Sequence, residues 1–161
     1  MPEFGPEKDP TRALSEVVHA LRQGLGENLV AVVLFGSRAR GEAGPESDWD
    51  LLVLAHDLPE KPLERHFRLK TILPEAWRGR VSILAKTPSE FTARLAELYL
   101  DIALDGVVLY DTDGYITQRL AYLRDLIARN GLRRERIGRE MPWKWRQSPG
   151  ASWVLEWEDG R

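Results

Sequence analysis

Two aspartates, Asp48 and Asp50, lie two residues apart at the start of an apolar run, Trp49 to Ala55. In an extended strand, side chains at that spacing share a face. Two carboxylates held side by side repel each other, which is costly unless a cation sits between them. Magnesium takes carboxylate and phosphate oxygens in octahedral geometry. Asp48 and Asp50 are therefore candidate metal ligands and the candidate catalytic pair of a polyphosphate site. Upstream, the apolar run Leu29 to Phe35 stops at Gly36-Ser37. Glycine lets a backbone approach a ligand closely, and the amides opening a short helix suit a phosphate. Ser37 adds a hydroxyl donor. Arg38 and Arg40 either contact phosphates or lie exposed on that short helix. Ser47 either orients Asp48 or fills a turn. Gly36, Ser37, Arg38, Arg40 and Ser47 are the candidate nucleotide-binding residues. In-line displacement at phosphorus asks for little beyond positioning and charge neutralisation.

These residues need a sheet to hold them. Leu29 to Phe35 is short, valine-rich and stopped by glycine, which predicts a buried strand. Trp49 to Ala55, interrupted only by Asp50, predicts a second central strand, and Arg80 to Ala85 a third. Asp9-Pro10 predicts a helix start, with Leu14, Val17, Val18, Leu21 and Leu25 as its apolar stripe and Gly24 and Gly26 closing it. Pro62 to Trp77 reads as helical, with Leu63, Phe67, Leu69, Ile72 and Leu73 apolar. Thr87-Pro88-Ser89-Glu90 predicts a capping box. Its helix carries Phe91, Leu95, Leu98 and Ile102 and ends at Gly106. Val107 to Tyr110 is a short strand and Asp111 to Gly114 a turn. Ile116, Leu120, Leu123 and Ile127 line a last long helix, ended by Asn130-Gly131 in a left-handed cap. The composition then changes. Arg133, Arg134, Arg136 and Arg139 cluster, and four of the six tryptophans, Trp143, Trp145, Trp153 and Trp157, follow among prolines and glycines. This predicts a main domain over 1–140 and a tail over 141–161, with the edge near Gly138 to Pro142. Exposed tryptophan is unusual, so the tail is expected to dock on its own domain, on a second copy of the chain, or on a partner.

The chain has 161 residues, 43% hydrophobic and 30% charged, which suits one domain plus an extension. A net charge of -2 gives no global pull toward nucleic acid or anionic membrane. The arginine cluster is accordingly read as a solvated helix face, and nucleic acid is not an expected partner. There is no cysteine, which excludes disulfides, a thiolate metal site and a cysteine nucleophile. The N-terminus, with Glu3, Glu7 and Asp9, has no signal-type apolar stretch, and no segment is long enough to span a bilayer. A cytoplasmic protein is the expectation. His19, His56 and His66 have no ligand spacing and read as ordinary histidines.

Gly36-Ser37, ten intervening residues and Asp48-x-Asp50 together resemble the signature of the DNA polymerase beta superfamily of nucleotidyltransferases. Arg38-x-x-Gly41 and Ser47-Asp48-x-Asp50-Leu51 are similar to its minimal nucleotidyltransferase branch. The match is close over Leu29 to Leu54, and the strand-helix-strand order to Ala85 agrees with it. The resemblance implies an α/β (α+β) nucleotidyltransferase fold: a small mixed sheet with helices packed on one side, here followed by a C-terminal helix and the tryptophan-rich tail. It implies Mg2+-dependent transfer of a nucleoside monophosphate, with ATP the expected donor, onto an acceptor hydroxyl of a protein or small molecule. Glycine and serine would hold phosphates, and the aspartates the metal. It also implies a small helical partner of HEPN type, in a toxin-antitoxin pair. One departure stands out. The family supplies a third carboxylate from the next strand, which here reads Arg80-Val81-Ser82-Ile83-Leu84, with Ser82 in that place. Asp101, Glu75 and Glu90 are candidate substitutes. The alternative is a catalytically degenerate binding module that acts through its partner surface.

Overall fold

The computed structural model describes residues 9–137, 141–145 and 157. The valine-rich runs form the centre of its sheet. β1 (Leu29–Phe35) and β2 (Trp49–Ala55) pair antiparallel, with Leu34 opposite Leu51 and Phe35 opposite Asp50. β3 (Val81–Lys86) joins β2 in parallel, and β4 (Val107–Asp111) joins β1 antiparallel, giving the order β3-β2-β1-β4. The mixed sheet and the α/β class are as the sequence implies.

Helices cover both faces of this sheet, where one side was expected. α1 (Pro10–Ala13), α2 (Ser15–Leu25) and α4 (Pro62–Ile72) build a core with Val32, Leu34, Leu51 and Val53. α5 (Pro88–Ala93), α6 (Glu97–Asp105) and α7 (Tyr115–Arg129) build a second core with Ala31, Val33, Leu52 and Leu54. The reason lies in β1 and β2. Neither alternates polar with apolar, so both their faces are apolar and both must be covered. The short α3 (Ser37–Arg40) follows β1.

Several helix boundaries differ from expectation. Gly24 lies inside α2 and does not close it; a Cβ there would stand 2.6 Å from the Ile72 side chain, so the glycine lets α2 and α4 approach. Gly26 is the cap, at φ 55°. The stretch from Pro62 divides at Pro74 into α4 and a 3-10 turn, Glu75–Trp77, because proline disfavours helix at the residue before it. Leu63 and Phe67, expected in the apolar stripe of α4, are 65% and 60% exposed. The capping box at Thr87 forms as expected. Its helix stops at Arg94, which is extended (φ -146°, ψ 134°), and α6 starts a new helical phase. That resets the register: Tyr99 and Leu100 turn inward and Leu98 outward. No residue in this stretch is a strong helix breaker. Leu95 and Ala96 pack on the second core, so tertiary contact sets the break.

After α7 the chain reverses at Gly131 (φ 63°) into β5 (Leu132–Arg134), which pairs with β6 (Trp143–Trp145). The arginine cluster therefore begins on a strand, where a helix face was expected, and the charges of its described members are met within the chain. Arg133 pairs with Glu135, Arg134 with Asp101 and Asp105, and Arg136 with Glu42. Trp143 and Trp157 pack against the second core, with Trp157 stacked on Tyr122. Glu3, Glu7, Arg139 and Trp153 lie outside the described residues. The β3 edge is covered by α4, whose Arg65 donates to the Ala85 carbonyl at 3.2 Å and whose Lys70 donates to that of Val81; cations at an edge discourage pairing with another strand.

Urea unfolding of Thr87→Ala should show a loss of about 1 kcal/mol, the usual cost of a lost N-cap. Leu51→Ala, at a fully buried position of β2, should cost about 2–5 kcal/mol.

Candidate active site

The strand ends of β1 and β2 meet at one point. Asp50 is paired with Phe35 across β1 and with Ser82 across β3. At the end of β1 the chain turns through Gly36 at φ 75°, a left-handed value suited to glycine. A Cβ at Gly36 would run into Asp50 Oδ2. The glycine is therefore required twice, by its torsion and by the carboxylate lying against it. Ser37 then opens α3, and the Gly36 carbonyl accepts from Ala39 at 3.1 Å and Arg40 at 3.2 Å. The first amides of a helix have no acceptor within it.

Asp50 is half-buried and Asp48 exposed. Burial holds the Asp50 carboxyl above the usual aspartate range. The Asp48 charge pushes it the same way, and the Arg40 guanidinium opposes both. Asp50 lies against a cradle that only glycine leaves open, and the charge of the exposed Asp48 adds to the penalty on that of Asp50. That donor set fits a magnesium ion shared with phosphate oxygens. Asp48 and Asp50 are the residues that would hold it.

The other expected site residues take different positions. Arg38 donates to the Ser47 carbonyl through Nε (3.2 Å) and Nη2 (2.9 Å), and its guanidinium lies 4.5 Å over the Trp49 ring. Ser47 Oγ accepts from the Gly44 amide at 3.0 Å, as a turn residue does. Together they fix the loop that delivers Asp48. Arg40 donates to Glu42 at 3.1 Å and stands 3.8 Å from Asp105. Glu42 also accepts from Arg136, and Asp105 from Arg134 at 2.6 and 2.8 Å. Arg134 and Trp143 both donate to Asp101. A chain of ion pairs thus ties α3 to the β5–β6 hairpin. The sequence reading missed this, because the pairs join residues up to 94 apart in the chain.

Ser82 does occupy the place beside Asp50 on β3, and it is exposed. None of the candidate substitutes joins the aspartates. Asp101 is committed to Arg134 and Trp143. Glu90 closes its capping box and pairs with Arg65 at 2.8 Å. Glu75 lies exposed on its 3-10 turn. Among the described residues no set of three acidic or histidine side chains is placed to share a metal ion. His19, His56 and His66 are all exposed. One neighbour was not anticipated: Lys70 of α4 lines a groove of about 520 Å3 with Asp48 and Ser82. A lysine on an amphipathic helix reads as solvated, so no sequence signal marked it.

A carboxyl that is harder to ionise in the folded than in the unfolded chain destabilises the fold as pH rises through its titration. In metal-free buffer, Asp50→Asn should therefore be more stable than the wild type at pH 7. The gain should shrink as the pH falls toward about 4, where the unfolded aspartate also protonates. Melting temperatures across that range measure it.

The family model described as polymerase beta, nucleotidyltransferase, matches residues 19–115, a span that includes the Gly36 turn and both aspartates. A candidate protein adenylyltransferase of Methanocaldococcus jannaschii is 30% identical over 142 residues, covering 86% of this chain and 95% of that one. Among solved structures, a toxin-antitoxin complex with AMP-PNP aligns with a TM-score of 0.53 at 20% identity, over 71% of this chain and 86% of that one. A tri-AMPylated Shewanella oneidensis HEPN toxin in complex with its MNT antitoxin gives 0.50 at 18% identity, over 74% and 87%. The structural likenesses show a shared fold. The family match, spanning more than half of the chain, carries the conclusion that this protein belongs to the polymerase beta nucleotidyltransferase family.

Proposed function

We propose that the protein transfers AMP from ATP to a hydroxyl on a protein partner, with Asp48 and Asp50 holding Mg2+. The observation that carries this is the Asp50 carboxylate lying against Gly36, where only glycine fits. The support from relatives is of kind: one is named for protein adenylylation, and another is solved with a HEPN toxin carrying AMP. A small helical HEPN-type protein is the partner this reading favours, in the cytoplasm, where ATP and magnesium are at hand.

Each residue has a task in this reading. The Gly36 backbone and the Ser37 amide and hydroxyl hold the β- and γ-phosphates at the opening of α3. Arg38 holds the 41–48 loop through the Ser47 carbonyl and so sets the position of Asp48. Arg40, already paired with Glu42 and close to Asp105, tempers the charge on Asp50 rather than binding phosphate. A bound cation would neutralise the triphosphate and polarise the α-phosphate. The acceptor oxygen bonds to the α-phosphorus, the α–β bridging bond breaks, and pyrophosphate leaves. Ser82 is no base at neutral pH, so the hydroxyl proton passes to water.

A second reading has its own observation. Ser82 stands opposite Asp50 where a carboxylate would complete the site, and none replaces it among the described residues. A nucleotide-binding module working through its partner surface would look the same.

Incubation with α-labelled ATP, Mg2+ and a host lysate should label a protein, and EDTA or Asp50→Ala should abolish the label. ATP binding without transfer under any condition favours the module. Gly36→Val should weaken ATP binding far more than it lowers the melting temperature; equal loss of both would remove the phosphate-cradle assignment. Ser82→Asp restores a carboxylate beside Asp50. If the missing base limits the rate, this variant should transfer AMP about 10²-fold faster, the scale of general-base catalysis.

A further inference from the structure

We propose that the groove between α4 and the β3 edge receives the acceptor, and that the acceptor is an acidic protein segment carrying the hydroxyl. This rests on the transfer reading above and adds where the acceptor lies and what recognises it.

The side is fixed by the order of the strands. In-line displacement puts the attacking oxygen opposite the departing pyrophosphate. The phosphates belong at Gly36, beyond the end of β1. The aspartates stand on β2, next in the sheet. The attacking oxygen must therefore enter from the far side of β2, which is the β3 side. A groove of about 520 Å3 opens there, and Asp48, Phe67, Lys70, Arg78 and Ser82 are among its lining residues.

The lining specifies the ligand. Lys70 donates to the carbonyls of Arg78 and Val81, and Arg78 to those of Thr71 and Leu73. Those acceptors are neutral, and among the described residues neither cation has an ion-pair partner. The exposed Arg78 charge therefore remains available to a ligand, while Lys70 already feels the Asp48 charge across the groove without forming an ion pair with it. On the α3 side, Arg40, Arg134 and Arg136 are matched by carboxylates, and Arg38 is turned onto the Ser47 carbonyl and the Trp49 ring. Phe67 lines the groove at 60% exposure, and Leu63, one turn earlier on α4, is 65% exposed. A bare nucleotide or small polar acceptor would leave that apolar face uncovered, whereas a protein segment would cover it.

The test uses the full chain and two fluorescein-labelled synthetic peptides, one with a tyrosine flanked by glutamates and one with a tyrosine flanked by lysines. Anisotropy without nucleotide should give the glutamate peptide about tenfold tighter binding, an advantage that shrinks with added salt. Phe67→Asp and Arg78→Gln should each weaken it about tenfold, with circular dichroism reporting that the variants are folded. Phe67→Ala serves if the charged variant unfolds. Equal affinity for both peptides, or binding indifferent to Phe67, overturns the proposal. So does competition between the glutamate peptide and Mg2+–AMP-PNP, which would assign the groove to the nucleotide. A wild-type dimer that Phe67→Asp dissociates would assign it to a second copy and overturn it equally. Peptide binding that persists without AMP transfer supports the groove and overturns the transfer reading instead.

Discussion

Asp50 sits on a central strand where every neighbour along β2 is buried and apolar. Its carboxylate lies against the backbone of Gly36, at the point where β1 ends. A half-buried charge in that position is a liability to the fold, made worse by Asp48. Proteins carry such a liability where function needs it, and the surrounding structure must hold it in place. Much of what distinguishes this molecule from a plain layered α/β domain follows from that requirement. The turn at Gly36 has a left-handed torsion, α3 is only one turn long, and the next loop is clamped back onto it.

The clamping is done by side chains whose sequence suggested a more direct role. Arg38 grips the Ser47 carbonyl and covers Trp49, so a residue adjacent to the Gly36 turn acts on the aspartate loop. Arg40 pairs with Glu42 and approaches Asp105, and through them it reaches Arg134, Arg136 and the hairpin. The hairpin in turn places Trp143 over the second core. The segment after α7 is thereby connected to the site by a continuous series of charged contacts. Partly buried ion pairs of this kind contribute more to fixing positions than to net stability.

The two ends of the site differ in charge. On the α3 side, Arg40, Arg134 and Arg136 share the carboxylates of Glu42, Asp101 and Asp105. On the β3 side, Lys70 and Arg78 rest on neutral carbonyls, and the position beside Asp50 is a serine. In the proposed transfer this asymmetry would run from the leaving group to the incoming oxygen. The fold produces it simply by placing β2 between β1 and β3.

Much of this could be read along the chain. The central strands, the Gly36 turn, the Asp48–Asp50 pair and the capping box at Thr87 follow from local rules of period, torsion and capping, and the place of Ser82 from the family resemblance. Such rules act between residues a few positions apart. Other features had no local signal: the break between α5 and α6, the inward use of Gly24, helices on both faces, the exposure of Phe67, and the partners of Arg38 and Arg40. Each depends on which distant surfaces meet. Gly24 is explained by Ile72, and Glu42 by Arg136, neither of which is close in sequence. The sequence by itself determined which groups are present for chemistry and which strands carry them. Only the tertiary structure decided which charges are already neutralised and which still face solvent, because that depends on contacts between segments far apart along the chain.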